Sequence, residues 1–208
     1  TRHVPIRWKH GIECMLEKKK GNFRVDKLRT ILLFEADCNQ NNKLIGRTAM
    51  RNAELHGLLA PEQYGSRKRL SAILHGLNKQ LTFDIFRQKR QTGALEANDA
   101  EKCYDRVVHS IASICLQAVG VQEQPIRMMF GTIQELRYYV RTSYVISKAS
   151  FSGKYWAYPI QGLGQGNGAA STIWALVSTP ILRLMRAEGH GVVFKLSVSG
   201  DEVRFVGY

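Results

Sequence analysis

The sequence has no apolar run near the roughly 20 residues that a membrane-spanning helix needs, and no secretory leader is expected. Cysteine is sparse and unpaired in pattern. Cys14, Cys38, Cys103 and Cys115 form no C-x-x-C pair and have no His at zinc-ligand spacing, which removes a zinc site built on cysteine pairs. Free thiols in a reducing intracellular setting, cytoplasm or nucleus, are the expectation. G-x-x-x-x-G-K-[ST] and G-x-S-x-G are both missing, so a P-loop or a hydrolase elbow has no support. There is no initiating Met, and the chain closes on apolar Val206-Gly207-Tyr208, so an internal piece of a longer protein is expected.

Acidic residues are scarce in one half. Residues 1–92 carry 19 Lys and Arg against 8 Asp and Glu, a surplus of 11, whereas residues 93–208 carry 11 against 9. A basic lobe beside a near-neutral core lobe suggests binding to a polyanion. Solvation alone would not need such asymmetry. An acidic membrane surface would also attract the lobe, but the basic residues do not form one amphipathic helix, and no membrane partner is expected. At 208 residues the chain suits one domain or two tightly joined subdomains, large enough to hide roughly 70% of its unfolded surface.

The stretch from Leu95 to His109 reads as a strand that stops at Asp99, a tight turn, and a helix capped by Asp105. Val108, Ile111, Cys115 and Ala118 recur at helical spacing and form its expected buried face. Asp99 has no local structural task. A carboxylate at a strand end, beside a turn with free N–H groups, suits a divalent cation and a polyphosphate.

Elsewhere Lys18-Lys19-Lys20-Gly21-Asn22 is a turn, and residues 28–34 are a strand. Asp37 caps a helix that runs to about Leu55 and stops at His56-Gly57. Ser66 is expected to cap a second helix, with Leu70, Ile73, Leu74, Leu77, Leu81 and Ile85 as its apolar stripe, Arg67-Lys68-Arg69 at its start and Arg87-Gln88-Lys89-Arg90 at its end. Pro125 fits the first turn of another helix, whose core face includes Met128, Met129 and Ile133 and continues to Leu136 and Val140. Residues 144–147 and 154–160 suggest a hairpin around Ser152-Gly153. A helix follows that buries Ile173, Trp174 and Val177, is re-capped or kinked at Pro180, and stops at Gly189 and Gly191. Two strands at 192–198 and 203–208 flank the turn Gly200-Asp201-Glu202.

Between hairpin and helix lies Gly162-Leu163-Gly164-Gln165-Gly166-Asn167-Gly168, glycines at alternate positions. Such a stretch brings backbone, rather than side chains, close to something. Gly164-x-Gly166-x-x-Ala169 also matches the glycine fingerprint of dinucleotide folds. That fingerprint asks for an acidic residue about 20 positions on, at a strand end; Glu188 falls in or at the end of a helix, and the basic lobe goes unexplained.

Asp99-x-x-x-Cys103-Tyr104-Asp105-x-Val107-x-His109 resembles the first catalytic motif of reverse transcriptases, especially those of non-LTR retrotransposons. Gly162-Leu163-Gly164-Gln165-Gly166 resembles the second, usually Gly-Leu-Pro-Gln-Gly-Ser-Pro, with Gly164 for Pro and Asn167-Gly168 for Ser-Pro. Asp99 and Gln165 stand 66 positions apart, in family order. Arg29-Thr30-Ile31 is similar to an Arg-Pro-Ile segment of the family's fingers, and Pro61-Glu62-Gln63-Tyr64-Gly65-Ser66 to its Gln-x-Gly-Phe segment.

The resemblance implies an α+β fragment of a right-hand polymerase, with a fingers-like basic subdomain at 1–92 and a partial palm at 93–208 that carries an incomplete antiparallel sheet. The implied activity is RNA-directed DNA synthesis, with an RNA template, a DNA primer, dNTPs and two Mg²⁺ ions, and no small-molecule cofactor. By that resemblance Asp99 is the catalytic residue and binds both metals, and Ala100 offers its carbonyl to one. The N–H groups of Lys102 and Cys103 and the side chain of Arg29 meet the triphosphate. Tyr104 closes the sugar pocket, and Gln165 and Gly166 pack on the nucleotide and template. The family's third motif, an aromatic-x-Asp-Asp hairpin, is expected beyond Tyr208, so this piece is expected to be inactive alone. A non-catalytic nucleic-acid-binding remnant, an RNA-dependent RNA polymerase and a dinucleotide-binding oxidoreductase stand as alternatives.

Overall fold

In the computed structural model, described over residues 4–22, 24–95, 97–153, 159–195 and 202–205, the chain is mixed α+β. It divides into two compact units, Thr1–Asn52 with Lys102–Trp174 and Ala53–Glu101 with Ala175–Tyr208. Each unit draws on both 1–92 and 93–208, so the charge division and the contact division describe the chain differently.

The first unit is built on a three-stranded sheet in the order β2-β1-β3. β1 (His10–Glu17) and β2 (Leu28–Leu33) pair antiparallel, Ile12 opposite Leu33 and Glu17 opposite Leu28. The lysine-rich turn joins them, with Gly21 at φ +82°. β3 (Arg137–Arg141) lies parallel to β1, Gly11 beside Tyr138. A Cβ on Gly11 would stand 2.8 Å from methyls of both Leu136 and Leu32, so glycine in the central strand lets those two leucines close over it. Leu32, Leu136 and Tyr138 form the sheet's buried cluster, with Phe34 and Ile160 against it. β3 folds back on itself through bridges Arg141–Ile146 and Tyr138–Phe151, and the two rings of the latter stack at 5.3 Å. The segment expected as the first arm of a hairpin thus pairs back onto β3 instead; of the expected second arm at 154–160, residues 154–158 lie outside the described residues.

Helices α1 (Ala36–Leu55), α3 (His109–Ala118) and α4 (Glu123–Gln134) supply the remaining core of this unit up to Asn52. Asp37 stands in the first turn of α1, where its carboxylate accepts from the Cys38 N–H at 2.9 Å and the Trp8 indole N–H at 2.8 Å and pairs with Arg7. α4 carries Pro125 in its first turn and buries Ile126, Met129, Phe130 and Ile133.

Around the first motif the structure departs from expectation. Residues 97–100 are exposed and have no regular structure, rather than forming a strand. Among the described residues no strand pairs with them, and small Ala94, Ala97 and Ala100 bring little apolar area to hold an extended segment. Asp105 does not cap α3. It sits inside a 3-10 turn, Cys103–Arg106, and α3 starts later, at His109, with no side-chain cap on Val108. The buried face is His109, Ala112 and Leu116, while Val108 and Ile111 are exposed. The expected stripe and the observed one lie on neighbouring faces of α3, and the buried His109 marks the one that packs.

In the second unit α2 (Ala72–Gln88) is capped by Ser71, whose hydroxyl accepts from the Leu74 N–H at 3.3 Å, and not by Ser66. Its apolar stripe is on the helix but not in a core: no residue of α2 is buried, and Ile73 is 82% exposed. Arg67, expected at the start of this helix, lies before it and is a clamp. It grips Glu54 with two nitrogens at 2.8 and 2.9 Å and reaches the carbonyls of Ala60 and Gln63. The loop before it is tied to α5 (Ala170–Ala187) by Gln63 on Ser178, Arg186 on Glu62, and Arg183 on the carbonyl of Leu58. α5 continues through Pro180 and ends at Ala187, with Gly189 at φ +79° in the turn that follows. β4 (Val192–Lys195) and β5 (Glu202–Phe205) pair antiparallel. No helix among the described residues is long and apolar enough to cross a membrane.

Two helix glycines predict opposite outcomes of one substitution. A Cβ on Gly46 of α1 would stand 2.9 Å from the Ala169 Cα, whereas one on Gly76 of α2 would meet nothing within 4 Å. Alanine gains about 1 kcal/mol of helix propensity at either site. At Gly46 a backbone must move, at about 1–3 kcal/mol. Urea denaturation is expected to show Gly76→Ala more stable than wild type and Gly46→Ala less stable.

Candidate functional site

The glycine-rich loop is the place where separate parts of the first unit meet. Its backbone bonds to the first-motif turn at two points, Gly162 N–H to Val107 O at 3.0 Å and Leu163 N–H to Tyr104 O at 2.8 Å. It bonds to β2 where the Leu32 N–H donates to Gln165 O at 2.6 Å. On α1, Asn39 spans the loop: its Nδ2 donates to Gly166 O at 3.0 Å, and its Oδ1 accepts from the Gly168 N–H at 2.7 Å. The glycines are required by these approaches. A Cβ on Gly162 would lie 2.6 Å from Asp105 O, and one on Gly166 would lie 2.3 Å from Leu32 O. Gly162, Gly164 and Gly166 also hold φ of +84°, +71° and +117°, a region that other residues enter only at a cost. What the backbone was expected to approach is therefore, first of all, the protein's own turn and strand.

His109 fastens the start of the loop. It is 4% exposed. Its Nε2 lies 2.6 Å from Gly162 O and its Nδ1 3.0 Å from the Gln134 amide nitrogen. The neutral tautomer that satisfies both donates from Nε2 to the carbonyl and accepts at Nδ1 from the amide. The ring stacks on Phe130 with centroids 4.5 Å apart. Gln161 completes the arrangement: its Oε1 accepts the His109 backbone N–H at 3.0 Å, which satisfies one of the donors left open at the start of α3. Burial pushes the His109 pKa below its ordinary value, and the bond to Gly162 opposes that shift.

Beneath the first-motif turn the electrostatics are acidic. Burial pushes the Asp105 carboxyl above its ordinary range, with Lys102 opposing. Glu13 on β1 is raised by burial and by the Asp105 charge. The Tyr138 phenol is raised by burial and by both carboxylates.

The chain matches no family model and no curated protein.

Of the residues singled out in the sequence, the first unit holds Arg29, Lys102, Cys103, Tyr104, Gln165 and Gly166. Arg29 is exposed on β2, three residues before the Leu32 that bonds to Gln165. Lys102 is exposed with φ +51°, and Cys103 and Tyr104 are half-buried on the 3-10 turn. Gln165 is half-buried and Gly166 exposed. Asp99 and Ala100 belong to the second unit, both exposed. The described residues do not fit a complete two-magnesium site. Two such ions need several carboxylates to offset their charge, and no group of three or more His, Cys, Asp or Glu side chains is gathered among the described residues.

Sequence reasoning missed Asn39, Gln134, Gln161 and the role of His109. Only His109 left a signal, as the last residue of the first motif. Asn39 acts across more than 120 positions of chain, where no local pattern reaches.

The His109 arrangement predicts a pH dependence. Because its folded pKa is depressed, its contribution is full above the unfolded value, about 6.5, and is lost as pH falls through the folded value. Raised Glu13 and Asp105 act with the opposite sign at lower pH, so the comparison has to be between proteins. Urea unfolding of wild type and His109→Gln is expected to show a stability gap that is widest above about pH 7 and shrinks toward about pH 5. A gap that is constant with pH would exclude the titration of His109 as its source.

Proposed function

We propose that this chain is the fingers and partial palm of an RNA-directed DNA polymerase, active as part of a longer protein. The observation that supports this reading best is the joining of three distant motifs in one unit. The first-motif turn bonds through Tyr104 O to Leu163 of the glycine-rich loop, and the loop bonds through Gln165 O to the strand that carries Arg29. Glycine-rich loops are common, but one fastened to both of these partners is what a nucleotide pocket made of dispersed segments requires. The surplus of 11 positive charges in residues 1–92 supports a polyanionic partner.

In this reading Arg29 holds triphosphate oxygens with its planar fork. The N–H groups of Lys102 and Cys103 face the same phosphates, and Gln165 and Gly166 form the floor under the nucleotide. Tyr104 fills the space that a ribose 2′ hydroxyl would need. Asp99 and the Ala100 carbonyl are the ligands this chain offers to Mg²⁺, which supplies activation of the primer hydroxyl when bound.

Two measurements test the proposal in the longer protein. Primer extension on an RNA template with Mg²⁺ and dNTPs is expected to fall by at least about 100-fold in Asp99→Asn, on the scale of losing one charge-stabilising group, with template binding retained. Binding without synthesis in wild type would select the non-catalytic remnant instead. Tyr104→Val is expected to raise ribonucleotide incorporation relative to deoxyribonucleotide. Because the Tyr104 contact to the loop is made by its carbonyl, the substitution leaves that bond in place, and equal loss with both nucleotides would assign the ring to packing.

A further inference from the structure

The hydrogen bonds of the glycine-rich loop are lopsided. Every carbonyl from Gly164 to Asn167 is taken: Gly164 O by the Asn167 N–H, Gln165 O by Leu32, Gly166 O by Asn39 and Asn167 O by the Ala170 N–H. The donors are not. Among the described residues no acceptor meets the N–H groups of Gly164, Gln165 or Gly166. Asn167, 6% exposed, spends its Oδ1 on the Ala169 N–H and leaves its Nδ2 without a partner. Four donors within four residues are thus open, with no open acceptor among their carbonyls. The Asn167 amide is the buried one, and leaving it unpaired costs about 1–3 kcal/mol, while the three N–H groups lie on half-buried or exposed residues that a ligand can reach.

The backbone shape suits one kind of acceptor. Positive φ at Gly164 and Gly166 on either side of Gln165 alternates the hand of successive residues, and such alternation is the backbone pattern that gathers N–H groups into oxyanion-binding concavities. Charge agrees with shape. Lys43, one turn beyond Asn39 on α1, packs its stem against the loop, so that a Cβ on Gly168 would stand 2.8 Å from the Lys43 Cβ. Its side chain is exposed and makes no ion pair among the described residues.

We infer that the N–H groups of Gly164, Gln165 and Gly166, with Lys43 beside them, form a binding site for a phosphate group. The anion site stands on the donors themselves. Its assignment to a phosphate of a nucleic-acid strand or of a nucleotide rests on the polymerase reading, and the two fail separately: phosphate binding here without synthesis would keep the site and remove the polymerase.

Amide chemical shifts of the isotope-labelled 208-residue chain test it, in separate titrations with inorganic pyrophosphate, an oligothymidylate and acetate. Saturable shifts at Gly164, Gln165 and Gly166 are expected with at least one of the two phosphate probes and not with acetate. A response to pyrophosphate alone assigns the site to nucleotide phosphates, and a response to the oligonucleotide assigns it to strand phosphates. Lys43→Ala is expected to weaken the effective probe by about threefold to tenfold, the scale of one charge-assisted contact, with the Leu32 and Gly168 amides unshifted as evidence that the loop keeps its path. Silence of the three amides toward both phosphate probes, an equal response to acetate, or an affinity unchanged in Lys43→Ala would overturn the proposal.

Discussion

Backbone-to-backbone approach at the glycine-rich loop is the constraint on which the first unit depends. Asp105 and Leu32 come so near to Gly162 and Gly166 that a single methyl group would overlap a carbonyl oxygen. Close approach lets peptide groups of the loop bond directly to the first-motif turn and to β2, where a side chain of any size would hold them apart. The two partners draw on the loop differently: the first-motif turn takes the N–H groups of Gly162 and Leu163, and β2 takes the carbonyl of Gln165.

Side chains then hold that path from both ends. His109 secures Gly162 with a neutral imidazole that is satisfied on both nitrogens, and Asn39 secures Gly166 and Gly168 by acting as a peptide-like donor and acceptor in one group. Neither contact relies on net charge, so neither is screened by salt. The charged groups divide by burial. Arg67 is largely buried against Glu54, and its fork serves the fold. Arg29 and Lys43 are exposed and make no ion pair among the described residues. A count of positive residues does not separate these roles; the environment of each guanidinium or ammonium does.

Legibility followed distance along the chain. The strand at 28–33, the turn at Gly21, the first helix and its stop before Gly57, Pro125 in a first turn and the stop at Gly189 were all accessible to local pattern, because each is decided by the conformational limits of a few neighbouring residues. Caps were less accessible. Ser66 and Ser71 are equivalent by composition, and the choice of Ser71 is made by where the chain leaves the Arg67 clamp. The face of α3 was misread for a related reason: its apolar residues fit more than one stripe, and stacking of His109 on Phe130 selects one.

By itself the sequence determined the alternation of strands and helices, the uneven charge, and the need for backbone approach at residues 162–168, since glycine spacing and charge are properties of the chain before it folds. Tertiary structure alone decided what the loop approaches, that Asp105 sits within a 3-10 turn instead of capping a helix, and that Asn39 and His109 hold the loop. Those outcomes rest on contacts between segments tens to more than a hundred residues apart. Such contacts are set by how packed surfaces close on one another, and that information is spread over the whole chain and carried by no single motif.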